Sequence, residues 1–192
     1  GCEQWLVSVH PSSPGEINSG KYEGRSLSEL YGAFPLLVKE IDAKTRLSVQ
    51  VHPNEKTCIV AGGSPKTEAW CMLEDGFVYA GFKDGVTIGE IEKAVDDGSF
   101  ENLLLRHDLS AGDMIYIPGG LVHAIGDGCR IYEVQQSSDT TFRLYDWNRV
   151  SSDGTRRELH LKEAFASIDL SLPRPVKTSA VNCPFFKMEK VH

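Results

Sequence analysis

The sequence predicts a mainly β protein, an antiparallel β-barrel or double-sheet jelly roll with a few peripheral helices. Three observations lead there. Short segments of alternating or β-branched residues recur, as in Leu47-Ser48-Val49-Gln50-Val51-His52. Turn signals separate them closely, among them Glu74-Asp75-Gly76, Ser110-Ala111-Gly112-Asp113 and Pro118-Gly119-Gly120. Only a few stretches carry helical spacing or capping. Such barrels can enclose a ligand cavity at one mouth.

Along the chain, Glu3 to Val9 is a strand with Trp5, Val7 and Val9 on one face. Pro11 to Gly24 is a long turn region. Ser26-Leu27-Ser28-Glu29 fits a capping box, so a short helix runs to Tyr31. Leu36 to Ile41 and Arg46 to His52 are strands, and Asn54 to Pro65 is a loop holding Gly62 and Gly63. Glu68 to Leu73 and Phe77 to Phe82 read as a hairpin turned at Glu74-Asp75-Gly76. Thr87-Ile88-Gly89-Glu90 is a second capping box, opening a helix over Ile88 to Asp96, and Ser99 to Leu104 adds a helical turn. Met114 to Ile117, Leu121 to Ile125, Arg130 to Gln136 and Thr140 to Tyr145 are extended, the last two joined by Ser137-Ser138-Asp139. Leu161 to Ile168 is a helix, and the tail from Leu172 is Pro-rich, extended and expected to be loosely anchored.

The 192 residues suffice for one good core, and 41% hydrophobic with 24% charged residues describes an ordinary globular composition. A formal charge of -7 argues against a nucleic-acid surface, which needs a basic face, but leaves room for a small phosphorylated ligand. No apolar run approaches the roughly 20 residues of a membrane helix, and no charged-then-apolar signal opens the sequence. The five cysteines, at 2, 58, 71, 129 and 183, are odd in number and form no C-x-x-C pair. Free thiols in a reducing compartment, the cytoplasm, are therefore expected.

Four residues carry candidate chemistry. Gln50 and His52 share a strand face, and Pro53 ends that strand so that His52 can be aimed into a cavity. Glu68 opens the next strand, and His123 follows the Pro118-Gly119-Gly120 turn. Two imidazoles, a carboxylate and an amide oxygen suit a borderline divalent metal, Zn²⁺ foremost, with one position left open. From chemistry alone, a metal centre and unrelated surface histidines both stand. Glu133 shares a face with Ile131 and Gln135, and Arg143 with Thr141 and Tyr145, so both could line a cavity. Their alternative is a structural cross-strand salt bridge.

Four ordered blocks then carry a family resemblance. They are Leu47-Ser48-Val49-Gln50-Val51-His52-Pro53-Asn54, Lys66-Thr67-Glu68-Ala69-Trp70, Ile117 to Gly126, and Glu133 to Trp147. Together they resemble the signature blocks of type I phosphomannose isomerase, in its short bacterial branch. The resemblance implies a cupin-type barrel that binds one zinc per chain and interconverts mannose 6-phosphate and fructose 6-phosphate. It implies Gln50, His52, Glu68 and His123 as zinc ligands and Arg143 as the catalytic arginine. Lys66 and Glu133 match other polar positions of that active site. The expected partner is a small sugar phosphate, not nucleic acid or membrane. Residues 1–170 are expected to form the catalytic cupin domain. Residues 171–192 are expected to begin a C-terminal segment that full-length members continue into a second cupin-like domain.

In such an isomerisation a hydrogen moves between C1 and C2, and an enediolate needs electrostatic stabilisation. Arg143 suits that role, while Glu133, Lys66 and a zinc-bound hydroxide are the candidates for the base. Two other functions compete: an iron dioxygenase built on His52, Glu68 and His123, and a non-catalytic sugar-phosphate-binding or regulatory cupin. His10, His107, His160 and His192 show no partner pattern and read as surface groups. Asp146 and Trp147 read as packing or turn residues, and Lys44 and Arg46 as solvated charges.

Overall fold

The computed structural model describes residues 2–151 and 153–191, so the expectation for His192 lies outside the described residues. The chain runs β1 (Cys2–Val7), α1 (Leu27–Tyr31), β2 (Leu36–Ala43), β3 (Val49–Val51), α2 (Cys58–Ala61), β4 (Glu68–Met72) and β5 (Gly76–Phe82). It continues through α3 (Ile88–Asp97), a 3-10 turn (Phe100–Leu103), β6 (Leu104–Leu109), β7 (Met114–Ile117), β8 (His123–Ile125), β9 (Cys129–Gln136) and β10 (Phe142–Tyr145). It closes with α4 (Leu161–Ser167), β11 (Lys177–Thr178), β12 (Ala180–Asn182) and β13 (Lys187–Glu189). Two large sheets form, one of six strands in the order β1-β2-β9-β4-β7-β11 and one of five in the order β10-β3-β8-β5-β6, and β12 and β13 make a small two-stranded sheet. The pairings are antiparallel.

Three apolar clusters define the layers. Between the sheets, Ile41, Trp70, Met72, Ile115, Ile117 and Ile131 of the six-stranded sheet meet Val78, Ala80 and Ile125 of the other. Strand alternation sends the neighbours of these residues outward. On the outer face of the five-stranded sheet, Val49, Val51, Tyr79 and Leu144 are covered by Ile91 and Ala94 of α3, by Ala164 of α4 and by Phe100. On the outer face of the six-stranded sheet, Ala69 and Met114 are covered by Val181 and Phe186.

Helix α3 forms as its sequence dictates. Thr87 and Glu90 close a complete capping box, and Gly98 ends the helix in the left-handed region at φ 79°. At α1 only half of the box forms: Glu29 N donates to Ser26 Oγ, while the Glu29 carboxylate goes to Arg25 instead.

Several expectations change. Residues 68–72 and 76–82 are not a hairpin, because the Leu73–Asp75 turn carries the chain from one sheet to the other. The alternation on each side is the same whether the next strand pairs locally or crosses over, so periodicity alone does not distinguish the two. The strands 129–136 and 142–145 likewise lie in different sheets. Strand β6 went unread because its apolar residues are mixed with Arg106, His107 and Asp108, as suits an edge strand. The 54–65 loop contains α2, held by Asn54 Oδ1, which accepts from Lys56 N and Thr57 N. The tail is anchored, through β11 on β7 and the buried Val181 and Phe186 of the β12–β13 hairpin.

Candidate metal centre

Register places the polar side chains. Arg143 on β10, Gln50 on β3 and His123 on β8 are direct cross-strand partners, so they form one row across the five-stranded sheet. On the facing sheet, Gln135 of β9 pairs with Glu68 of β4, and Lys39, Glu133 and Trp70 make the next row. His52 follows β3 directly and is held by the Pro118–Gly120 turn. Gly120 N donates to His52 O at 2.8 Å, and Gly119 N donates to Thr67 Oγ1 at 3.1 Å. A Cβ at Gly119 would stand 2.8 Å from Pro53 O, so the close approach that fixes His52 needs a glycine there.

The donor atoms converge. His52 Nε2 lies 3.3 Å from Glu68 Oε2, and His123 Nε2 lies 3.4 Å from Glu68 Oε1. The Gln50 amide reaches His123 Nε2 at 3.3 Å. Ligands about 2.0–2.1 Å from a tetrahedral zinc are separated by roughly 3.3–3.4 Å, and each imidazole stands at that spacing from one Glu68 oxygen. His123 Nδ1 donates to Leu121 O at 2.8 Å, which leaves Nε2 as the bare lone pair. Gln50 presents its amide nitrogen, and turning the carboxamide over would present the oxygen. Neither Glu68 oxygen meets hydrogen-bond geometry with a described residue, although the side chain is fully buried, so its charge is balanced by ion pairing, here with the Lys66 ammonium 2.9 Å from Oε2.

Charge states favour metal binding. Burial pushes the His52 pKa down to about 3, helped by the neighbouring Lys66 ammonium and opposed by Glu68. Burial also lowers His123. Burial alone would raise Glu68, but Lys66 and the two imidazoles outweigh it and hold the carboxyl well below its usual range. Near neutral pH the cluster therefore offers two neutral imidazoles and one carboxylate, the forms that bind a metal. Lys66 sits among them, its Nζ 3.1 Å from His52 Nε2 and 2.9 Å from Glu68 Oε2. Burial lowers the Lys66 pKa, but Glu68 and Glu133 more than reverse that, so it stays an ammonium.

Glu133 and Arg143 face the interior but do not pair. Glu133 Oε2 accepts from Trp70 Nε1 at 2.9 Å, and its Oε1 is 3.6 Å from Lys39 Nζ. Burial and the nearby Glu68 raise its pKa, with Lys66 and Lys39 only partly offsetting them. Arg143 Nη1 donates to Glu158 O at 2.7 Å, and Arg143 N donates to His160 Nδ1 at 3.1 Å. A bulge after Arg143 turns Tyr145 out onto the other face, where it stacks on Phe100. The shared face of Thr141, Arg143 and Tyr145 thus fails at Tyr145.

Two contributors were not singled out from sequence. Lys39 had a readable signal, since it occupies the inward face of β2 with Leu37, Ile41 and Ala43. His160 had none, because its contact with Arg143 arises only in the fold. Of the other histidines, His10 lies 3.6 Å from Asp139 and His107 Nε2 is 3.0 Å from Ala80 O. Arg46 is not simply solvated: it stacks 3.9 Å from the Trp147 ring centroid and pairs with Glu101 at 2.9 Å. Asp146 is clamped by Arg149 and Arg157.

Two facing antiparallel sheets with a buried His–Glu–His donor cluster between them define a cupin-type β protein with a metal-ready centre. Comparison with known proteins narrows the class. No family model matches the chain. It is 34% identical to the mannose-6-phosphate isomerase ManA of Bacillus subtilis over 218 residues, covering 98% of this chain and 69% of that protein. It is 33% identical to the mannose-6-phosphate isomerase of Streptococcus mutans, covering 98% and 68%. The crystal structure of the mannose 6-phosphate isomerase from Bacillus subtilis superposes with a TM-score of 0.82 at 30% identity, covering 96% of this chain and 68% of that one. The chain belongs to the mannose-6-phosphate isomerase family.

Proposed function

We propose that this chain is a metal-dependent aldose–ketose isomerase that interconverts mannose 6-phosphate and fructose 6-phosphate. Its zinc ligands are Gln50, His52, Glu68 and His123, and its catalytic groups are Arg143, Glu133 and Lys66. The observation that carries the reading is the convergence of His52, Glu68 and His123, whose donor atoms all lie within 4.8 Å of one another, in a chain of this family.

Zinc held there would supply a Lewis acid that polarises the substrate's carbonyl and hydroxyl oxygens. The Arg143 guanidinium is oriented by Glu158 O, while His160 Nδ1 accepts from the Arg143 backbone N–H, and the remaining guanidinium N–H groups bind an anionic oxygen of the sugar phosphate or of the enediolate. Its guanidinium stays charged, which suits anion binding and not proton abstraction. Glu133, with its raised pKa, is the better group to take a proton from one carbon and return it to the next. Lys66 remains an ammonium and donates to developing negative charge. The same three donors fit the facial triad of an iron dioxygenase, but Gln50 adds a fourth protein donor, which favours the zinc reading. All five cysteines are free thiols, which supports a reducing, cytoplasmic location. No helix of the described residues is long and apolar enough to cross a membrane.

A coupled isomerase assay with saturating zinc tests the activity, and elemental analysis tests the site. Turnover of mannose 6-phosphate and one zinc per chain are expected. Stoichiometric zinc in a His52→Ala, His123→Ala double variant would remove these residues from the centre, and a zinc-loaded chain without turnover would overturn the isomerase reading.

A further inference from the structure

Lys66 is 4% exposed, and its ammonium sits against His52 Nε2 at 3.1 Å and Glu68 Oε2 at 2.9 Å. Those atoms are also donors of the proposed zinc centre, on which this inference rests. A divalent ion on them and an ammonium against them would compete for the same lone pairs at close range, with strong repulsion between the two cations. The ammonium must then go elsewhere, and a buried charge left without acceptors is strongly unfavourable.

Two buried acceptors on β9, the strand paired with β4, have no hydrogen-bond partner among the described residues: Glu133 Oε1 and Gln135 Oε1. Lys39 stands 3.6 Å from Glu133 Oε1, an ion pair too long to be a hydrogen bond. The Gln135 amide is fixed, because its Nε2 donates to Gln136 O at 2.8 Å and to Ser138 O at 2.6 Å. An oxygen in that position would repel both carbonyls, so Oε1 is the end turned away from them. Gln135 is the cross-strand partner of Glu68, and its side chain therefore stands beside the carboxylate that Lys66 touches. Glu133 lies two residues earlier on the same face, within electrostatic reach of Lys66. Orphaned buried acceptors are rare enough that two beside one ammonium need an explanation.

We propose that Glu133 and Gln135 form a second seat for the Lys66 ammonium, which takes it up when zinc enters on His52 and Glu68. The move is a rotation of the lysine stem. No covalent bond changes. Gln135 is thereby a positioning residue that acts through Lys66, and the energy of the new seat is part of the zinc affinity.

A double-mutant cycle on zinc affinity tests this. Zinc dissociation constants are measured by chelator competition at one pH for the parent, Gln135→Met, Lys66→Met and the double variant. Gln135→Met is expected to weaken zinc about tenfold when Lys66 is present, because the displaced ammonium loses an acceptor. In the Lys66→Met background the same change should alter the constant less than twofold. Lys66→Gln replaces Lys66→Met if the latter does not fold. Equal weakening in both backgrounds would show that Gln135 only holds the 136–138 turn, and no weakening in either would show that it has no part; both outcomes overturn the second seat. A parent chain that binds no zinc would overturn the metal centre itself, and this seat with it, whereas a zinc-binding parent without coupling refutes the seat alone.

Discussion

Acidification of the zinc-free chain should weaken the fold through two residues. His52 and His123 are buried, and both titrate below the ordinary imidazole value of 6.5, His52 at about 3. A group whose folded pKa is depressed stays neutral in the native state while the unfolded chain takes up a proton. The unfolded state then binds more protons, and stability falls as pH falls below 6.5. Each such histidine costs about 1.4 kcal/mol per pH unit in that window. Between pH 7 and pH 5 His52 alone removes about 2 kcal/mol, and His123 adds to the loss in the same direction, against the roughly 5–15 kcal/mol of a typical domain. Stopping at pH 5 keeps most carboxylates, with ordinary values near 4, out of the measurement. Urea unfolding in excess chelator at both pH values reads the loss, and a His52→Gln, His123→Gln variant serves as control. The variant should lose less than about 1 kcal/mol over the same interval, since it has neither imidazole to charge. An equal loss in parent and variant would refute the assignment of this pH dependence to the buried pair.

Three further outcomes are expected. Arg143→Lys keeps the charge but loses the guanidinium fork, so kcat should drop roughly 100- to 1000-fold with zinc content unchanged; a kcat within a few-fold of the parent would make Arg143 structural. Gly119→Ala puts a Cβ 2.8 Å from Pro53 O and 3.0 Å from Asn54 Cα, so it should cost about 1–3 kcal/mol in urea unfolding and lower the zinc content by displacing His52. Phe100→Ala removes a fully buried ring stacked on Tyr145 and should cost about 3–5 kcal/mol, yet leave zinc stoichiometry intact because the ring packs outside the five-stranded sheet.

The donors were legible because strand alternation is local. Gln50 and His52 share a face in any register, and Pro53 marks the strand end whatever lies beside it. Helix α3 was legible for a similar reason, since its capping box and its Ile88, Ile91 and Val95 spacing lie within one short window. What could not be read was which strand faces which. Strand alternation lets Glu133 and Arg143 both line a cavity, but the Ser137–Asp139 connection crosses between sheets, and so the two make separate sets of contacts in place of a pair. The bulge after Arg143 broke the inferred face at Tyr145, and no residue type there announces it. His160 reaches Arg143 N across 17 positions, a contact that depends on where α4 begins.

Closure of the two sheets also sets the charge of the interior. Glu133 and Glu68 bring two buried carboxylates, Lys39 and Lys66 bring two buried ammoniums, and the exposed Glu3 adds a third carboxylate at the rim, linked by contacts of 2.8 Å from Lys39 to Glu3 and 2.9 Å from Lys66 to Glu68. With all five ionised, the wall carries one negative charge. A divalent ion in the proposed centre would reverse it to one positive charge, and Arg143, which has no carboxylate partner among the described residues, raises that to two. A sugar phosphate carries close to two negative charges near neutral pH. In the proposed centre the ligand's charge is thus matched only when the metal is present. Without zinc, phosphate would face a wall of net negative charge relieved by Arg143 alone, so zinc occupancy and substrate binding are coupled electrostatically as well as through direct contact.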